Sequence, residues 1–169
     1  MYRVGTGFDM HRLVEGRDLI LGGVKIDHHL GLEGHSDADV LVHALMDALL
    51  GAAALGDIGR HFSMGDPEYK NISSLILLHR VAGMVGQKQW KLVNADMTII
   101  AEEPRMVSYI DEMREKIAEI LSVSKGCISI KATTTEGLGS SGRGEGIAAQ
   151  AVVLLGETAC PGPASHEAQ

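Results

Sequence analysis

The stretch HSDADVLVHALMDALLGAAALGDIG, residues 35–59, decides how the chain is read. Apolar residues recur in it at spacings of three and four, the repeat of one helix face, with Ser36 or Asp37 able to cap the start and Gly56 to close the end. The apolar face is wide, so the spacing predicts a helix that is mostly buried. Upstream, residues 2–8 and 18–27 (DLILGGVKID) have strand composition, broken by the turn at Gly22 and Gly23, and suggest an N-terminal hairpin or meander. Downstream, the loop GDPEYKN leads into ISSLILLHRVAGMVGQK, a second helix weakened by Gly83 and Gly86. KLVNADMTIIAEE reads as a strand, MVSYIDEMREKIAEIL as a third helix with Glu and Lys outside, and CISIKA and GIAAQAVVLLG as further strands.

Helices separating strands imply an α+β fold, an α/β sandwich in which about three helices cover one face of a mixed sheet. The other face would then carry residues such as those of IAAQAVVLL, and an uncovered apolar sheet face points to self-association. With 169 residues the chain fits one domain, expected over 1–157, followed by a disordered Pro/Gly tail at 158–169. Hydrophobic residues are 45% but aromatics only 4%, so aliphatic side chains and Met must build the core.

Composition also excludes some functions. A net charge of −7 argues against a nucleic-acid partner, which needs clustered cations. No apolar run approaches the ~20 residues of a membrane span, and MYRVGTGFD has no signal-peptide core, so the chain reads as cytoplasmic, with no membrane partner. Cys127 and Cys160 form neither a disulfide framework nor a metal-binding pair and are expected to be reduced.

Of the eight histidines, six fall within the first 61 residues, and three positions stand out. Asp9 and His11 lie two apart on an extended segment, hence on one face. His43, in the central helix, is a candidate third partner, although a lone His on an apolar helix face more often serves packing. Asp39 and Asp47, four residues either side of His43, could hold its second ring nitrogen. Asp, His and His would fill three tetrahedral positions on zinc and leave the fourth open, as catalytic sites do. His35 and Ser36 stand at the mouth of the predicted helix, where free N–H groups favour an anion, and Asp57 follows its end.

The segment ISIKATTTEGLGSSGRGEG contains GLGSSG, a literal G-x-G-x-x-G, but it leads into a strand-like run instead of opening a dinucleotide-binding helix. What remains is a strand ending in Thr133, Thr134 and Thr135, then Glu136 and a glycine loop, a combination suited to phosphate and an oxygen-ligated Mg²⁺. Pro104 and Arg105, taken alone, read as a helix start.

Together, GFDMHR, GLEGHSDADVLVHALMDALLGAAALGDIG, ADMTIIAEEPRM and KATTTEGLGSSGRGEGIA make the chain resemble the 2-C-methyl-D-erythritol 2,4-cyclodiphosphate synthase family, over roughly residues 2–155. The resemblance implies a lyase of the non-mevalonate isoprenoid pathway. It converts 4-diphosphocytidyl-2-C-methyl-D-erythritol 2-phosphate to the cyclic diphosphate and CMP, in a homotrimer whose sheets pack around an axis with active sites between subunits. It implies Zn²⁺, or another divalent transition metal, on Asp9, His11 and His43, and Mg²⁺ or Mn²⁺ on Glu136. His35 and Thr134 would be catalytic. Ser36, Asp57, Ile58, Gly59, Phe62 and Asp66 would lie around the methylerythritol phosphate. Ala101, Pro104, Arg105, Met106, Ala132, Thr133 and Thr135 would form the cytidine diphosphate pocket. Ser140 and Arg143 would line a trimer cavity able to hold a prenyl diphosphate.

Three features depart from the family pattern: Met64 stands where an acidic residue is common, Arg105 where Lys is common, which keeps the cation, and Ser140 where Phe is frequent. Two competing readings use the same residues. A zinc-dependent phosphoesterase would release inorganic phosphate, and a non-catalytic prenyl-diphosphate-binding trimer would turn nothing over.

Overall fold

A computed structural model of the chain describes residues 1–63 and 65–158. Met64, Cys160 and the tail from residue 159 onward, expected to be disordered, lie outside the described residues.

The chain opens with β1 (Tyr2–Val14), longer than the predicted 2–8 because the alternation of buried and exposed residues continues through Asp9 and His11. The expected hairpin follows as β2 (Leu19–Leu21) and β3 (Val24–Ile26), turned by Gly22 and Gly23 at positive φ. After β4 (Gly31–Leu32) comes the central helix α1 (Val40–Ala52), then the single turn α2 (Ile58–His61) and α3 (Ser74–Gln87). β5 (Trp90–Ile100), α4 (Ile110–Ile120), β6 (Ile128–Thr133), the single turn α5 (Gly139–Gly142) and β7 (Gly146–Glu157) complete the order.

Five strands form one mixed sheet in the order β4-β1-β7-β5-β6, antiparallel throughout except for the parallel pair β5 and β6. The three long helices lie on one face: α1 across β1 and β7, α3 against β5, and α4 against β6. Eleven of the thirteen residues of α1 are buried, so it is an interior helix and not an amphipathic one at the surface. Each of its buried Leu and Val side chains contributes roughly 1.5–3 kcal/mol through removal from water.

Glycine sets how closely α1 approaches the sheet. A Cβ on Gly5 would stand 2.0 Å from the Ala48 carbonyl oxygen, and one on Gly7 2.0 Å from that of Ala44. The helix therefore rests directly on the β1 backbone, two residues before Asp9.

Two expected helix starts differ from those observed. α1 begins at Val40, not near Ser36, because Asp39 takes the capping position and accepts the Val42 N–H. Pro104 does not open α4: it follows a cis peptide bond after Glu103, and the helix starts six residues later, at Ile110. The GLGSSG segment gives only the one-turn α5 before β7. No helix among the described residues is long and apolar enough to cross a membrane.

Candidate active site

Odd-numbered residues of β1 face the helices, so Asp9 and His11 point toward α1, and His43 points back from the helix beside Ala44, whose carbonyl meets Gly7. His43 Nδ1 lies 3.0 Å from Asp9 Oδ2, His11 Nε2 lies 2.9 Å from the same oxygen, and the two ring nitrogens are 3.2 Å apart. Donors 2.0–2.1 Å from a tetrahedral ion stand about 3.3 Å from one another. The three atoms thus form a face of nearly the right size for such an ion, from ligand types that suit a divalent transition metal.

The surroundings fix which ring nitrogens point inward. His11 Nδ1 donates to the Glu33 carbonyl, which leaves the lone pair on Nε2. Burial alone would raise the Asp9 carboxyl, but hydrogen bonds to His11 and His43 outweigh it and hold the group well below the usual carboxylate range. Burial likewise opposes a charged His11, and Asp9 reverses this and lifts its pKa. Around the donor set opens a hollow of about 260 Å³, lined also by His35, Ser36, Ile58, Gly59 and Phe62.

The segment carrying His35 and Ser36 does not sit at the helix mouth, since Asp39 occupies that place. It is clamped instead. Arg17 donates to the carbonyls of Gly34, at 3.0 Å, and Ser36, at 2.7 Å, and the Asn71 N–H donates to the His35 carbonyl at 2.8 Å. The His35 ring donates through Nε2 to the Asp66 carbonyl, 2.9 Å away, joining the helix-preceding segment to the loop that follows α2. Asp57 caps α2 by accepting the Arg60 N–H.

Neither expected carboxylate holds the outer nitrogen of His43. Asp39 accepts N–H bonds from Gly22, Gly23 and Val42, and Asp47 accepts one from Ile58. Both are committed to backbone ends, and the outer nitrogen lies instead 3.1 Å from Ser74 Oγ and 3.2 Å from Ser36 Oγ. Arg17 and Ser74 escaped the sequence reading, and Asp37, which accepts the Ser74 N–H, was named there only as a possible cap, because no spacing marks a contact made from a turn or a distant helix.

A second hollow, of about 550 Å³, lies at the far side of the sheet, where β5 and β6 end. Ala101, Pro104, Arg105, Met106, Ala132, Thr133 and Thr134 line it. Beside it, Thr134 Oγ1 donates to Glu136, which sits at positive φ, and Thr135 donates through N–H and hydroxyl to Glu102. Arg143 is apart from both hollows, bonded to Glu145 through Nε on the rim of a third, of about 360 Å³, and Ser140 lies half-buried in α5. The structure therefore gathers most of the predicted site residues into two groups and leaves Ser140 and Arg143 outside both.

Comparison with known proteins gives a consistent result. The YgbB family matches residues 2–156. A 2-C-methyl-D-erythritol 2,4-cyclodiphosphate synthase of Moorella thermoacetica is 63% identical over 153 residues, spanning 90% of this chain and 94% of the relative. The bifunctional IspDF of Campylobacter jejuni superposes with a TM-score of 0.90 at 41% identity, over 93% of this chain and 42% of that longer one. The CDP complex of IspF from Plasmodium falciparum superposes at 0.81, with 31% identity over 93% of this chain and 97% of that one. By sequence along nearly its whole length and by fold, the chain belongs to the YgbB family, whose curated relatives are 2-C-methyl-D-erythritol 2,4-cyclodiphosphate synthases.

Proposed function

We propose that the chain cyclises 4-diphosphocytidyl-2-C-methyl-D-erythritol 2-phosphate to 2-C-methyl-D-erythritol 2,4-cyclodiphosphate, as a cytoplasmic lyase of the non-mevalonate isoprenoid pathway. An oxygen of the 2-phosphate attacks the β-phosphorus. The bond from that phosphorus to the bridging oxygen breaks, and CMP leaves with the oxygen and the electron pair. The observation that carries this reading is the close triangle of donor atoms from Asp9, His11 and His43 on the wall of a hollow.

Asp9, His11 and His43 would hold Zn²⁺ or another divalent transition metal, and Glu136 a Mg²⁺ or Mn²⁺. When bound, such ions supply Lewis-acid stabilisation of phosphoryl charge. The nucleophile is a phosphate already ionised near neutral pH, so the chain needs no Ser or Cys nucleophile. Its task is to fold a polyanion onto itself and hold it, work of orientation and charge stabilisation. His35 and Thr134 would stabilise phosphoryl charge in the transition state, Arg105 would supply a cation to the diphosphate, and the hollow around Ala101 and Ala132 would take the nucleoside.

The two hollows flank opposite parts of one sheet. From β1 to β6 there are three strand spacings, about 14 Å at the usual ~4.8 Å each. A substrate that needs both groups is better served by the hollow of one subunit facing that of the next. The face away from the helices supports this, since Tyr2, Val4, Phe8, Met10 and Val152 are exposed on it. We therefore read the assembly as a homotrimer built on that face.

The test is ³¹P NMR of the protein with the cytidine diphosphate substrate, Zn²⁺ and Mg²⁺. The expected products are the cyclic diphosphate and CMP, with His43→Ala slower by roughly 100-fold or more through loss of the metal. Release of inorganic phosphate would favour a phosphoesterase. Intact substrate with a folded, metal-loaded protein would favour a binding protein.

A further inference from the structure

The outer nitrogen of His43 is where the two hydroxyls converge, and their hydrogen bonds decide its protonation. Ser74, fully buried at the first position of α3, places Oγ 3.1 Å from His43 Nε2. The same hydroxyl donates its single proton to Asp37 Oδ1 in a close contact, while Asp37 Oδ2 accepts the Ser74 N–H at 2.9 Å. With its proton committed to the carboxylate, Ser74 Oγ can only accept from the imidazole. Ser36 Oγ, 3.2 Å from Nε2, accepts the Ala38 N–H at 3.2 Å and keeps a second lone pair for the imidazole N–H, so it is compatible with the tautomer that Ser74 imposes. The arrangement thus puts the proton on Nε2 and the lone pair on Nδ1, the atom aimed at Asp9 and His11.

We propose that Asp37 and Ser74 are positioning residues of the metal centre: a carboxylate–hydroxyl–imidazole relay that holds His43 as an Nδ1 ligand. The inference rests on the metal reading above and adds two residues to it. The relay performs through an intervening serine what a carboxylate bonded directly to a ligating histidine does, fixing ring orientation and tautomer and raising ligand basicity. It also explains why the donor set survives on two separate elements. Asp37 precedes α1 and Ser74 opens α3, so their bonds lock the helix bearing His43 to its neighbour. If Asp37 loses its charge, the Ser74 hydroxyl is free to donate to Nε2, and the proton is driven to Nδ1, where it blocks the metal.

Two measurements test this on the full chain. The first is zinc affinity by competition with a chromophoric chelator near pH 7.5, for the wild type, Ser74→Ala and Asp37→Asn. Far-UV circular dichroism and the mass by light scattering serve as controls for folding and assembly. Each variant is expected to bind Zn²⁺ about 10–100-fold more weakly with both controls preserved. Affinities within twofold of the wild type would overturn the relay, and a folded wild type that binds no zinc would overturn the metal reading itself. The second measurement needs no mutant. In the zinc-loaded wild type, ¹⁵N-edited NMR of the His43 ring is expected to show a slowly exchanging proton on Nε2 and none on Nδ1. The reverse assignment would overturn the proposal even if the variants failed to fold.

Discussion

Asp39 has no exposed surface and accepts three backbone N–H groups, from Gly22, Gly23 and Val42. It caps α1 and clasps the β2–β3 turn at once. Burial, reinforced by Asp37, pushes its carboxyl up to about 6 from 3.8, against the pull of the three donors. Because the folded pKa lies above the unfolded one, the folded chain binds a proton between about pH 4 and 6 that the unfolded chain lacks. Asp39 therefore contributes stability at the acid end of that window, lost as pH rises through it and constant above. Urea titrations at several pH values should show this slope in the wild type relative to Asp39→Asn, which cannot titrate; parallel pH profiles would refute it. Spacing suggested Asp39 as a partner for His43 because four residues make one helical turn. That rule locates neighbours on a helix already formed, whereas Asp39 stands at the cap and turns its oxygens to the backbone. Only side-chain directions could separate the two roles.

Among the elements, the contact of α1 with β1 decides the site. Gly7 lies under Ala44, next to His43 and two residues before Asp9, two members of the donor triangle. Gly7→Ala would force the helix off the strand, since a Cβ 2.0 Å from a backbone oxygen cannot be accommodated by moving a side chain. The expected loss is about 3 kcal/mol or more of stability, read from the urea midpoint, with a parallel loss of zinc affinity as the donor triangle opens. An unchanged midpoint would mean that α1 can move away without cost. The existence and kind of the three long helices and the main strands were legible in the sequence, because periodicity of three to four or of two reports directly which side meets the core. Their ends were less so. The start of α1 moved to Val40 because several polar residues in a row can cap and only one does, and the start of α4 lies past Pro104, at Ile110, because a proline suits a turn as well as a first helical position.

At the scale of the whole molecule, the open sheet face divides along its width. Tyr2, Val4 and Phe8 on β1, with Val152 on β7, make an apolar half, while Asp96 pairs with Lys131 across β5 and β6 in a polar half. A monomer would leave the apolar half in water, at roughly 25 cal/mol per Å². The double substitution Val4→Glu, Val152→Glu should leave the fold and zinc binding intact while shifting the mass by light scattering from trimer to monomer and abolishing cyclisation. Activity retained in a monomer would show that both hollows of one subunit suffice.

What the sequence determined by itself was the three long helices, the main strands, the apolar sheet face and the donor types of Asp9, His11 and His43, since these follow from residue chemistry and local repeat. What the tertiary structure decided was contact between segments far apart in the chain. It brought His43 within 3.0 Å of Asp9, put Ser74 and not Asp39 or Asp47 at its outer nitrogen, tied Arg17 to the backbone on either side of His35, and separated the site residues into two hollows. The reason is physical: the local repeat states which face of an element is buried, but the partner it meets there is chosen by close packing across the whole core.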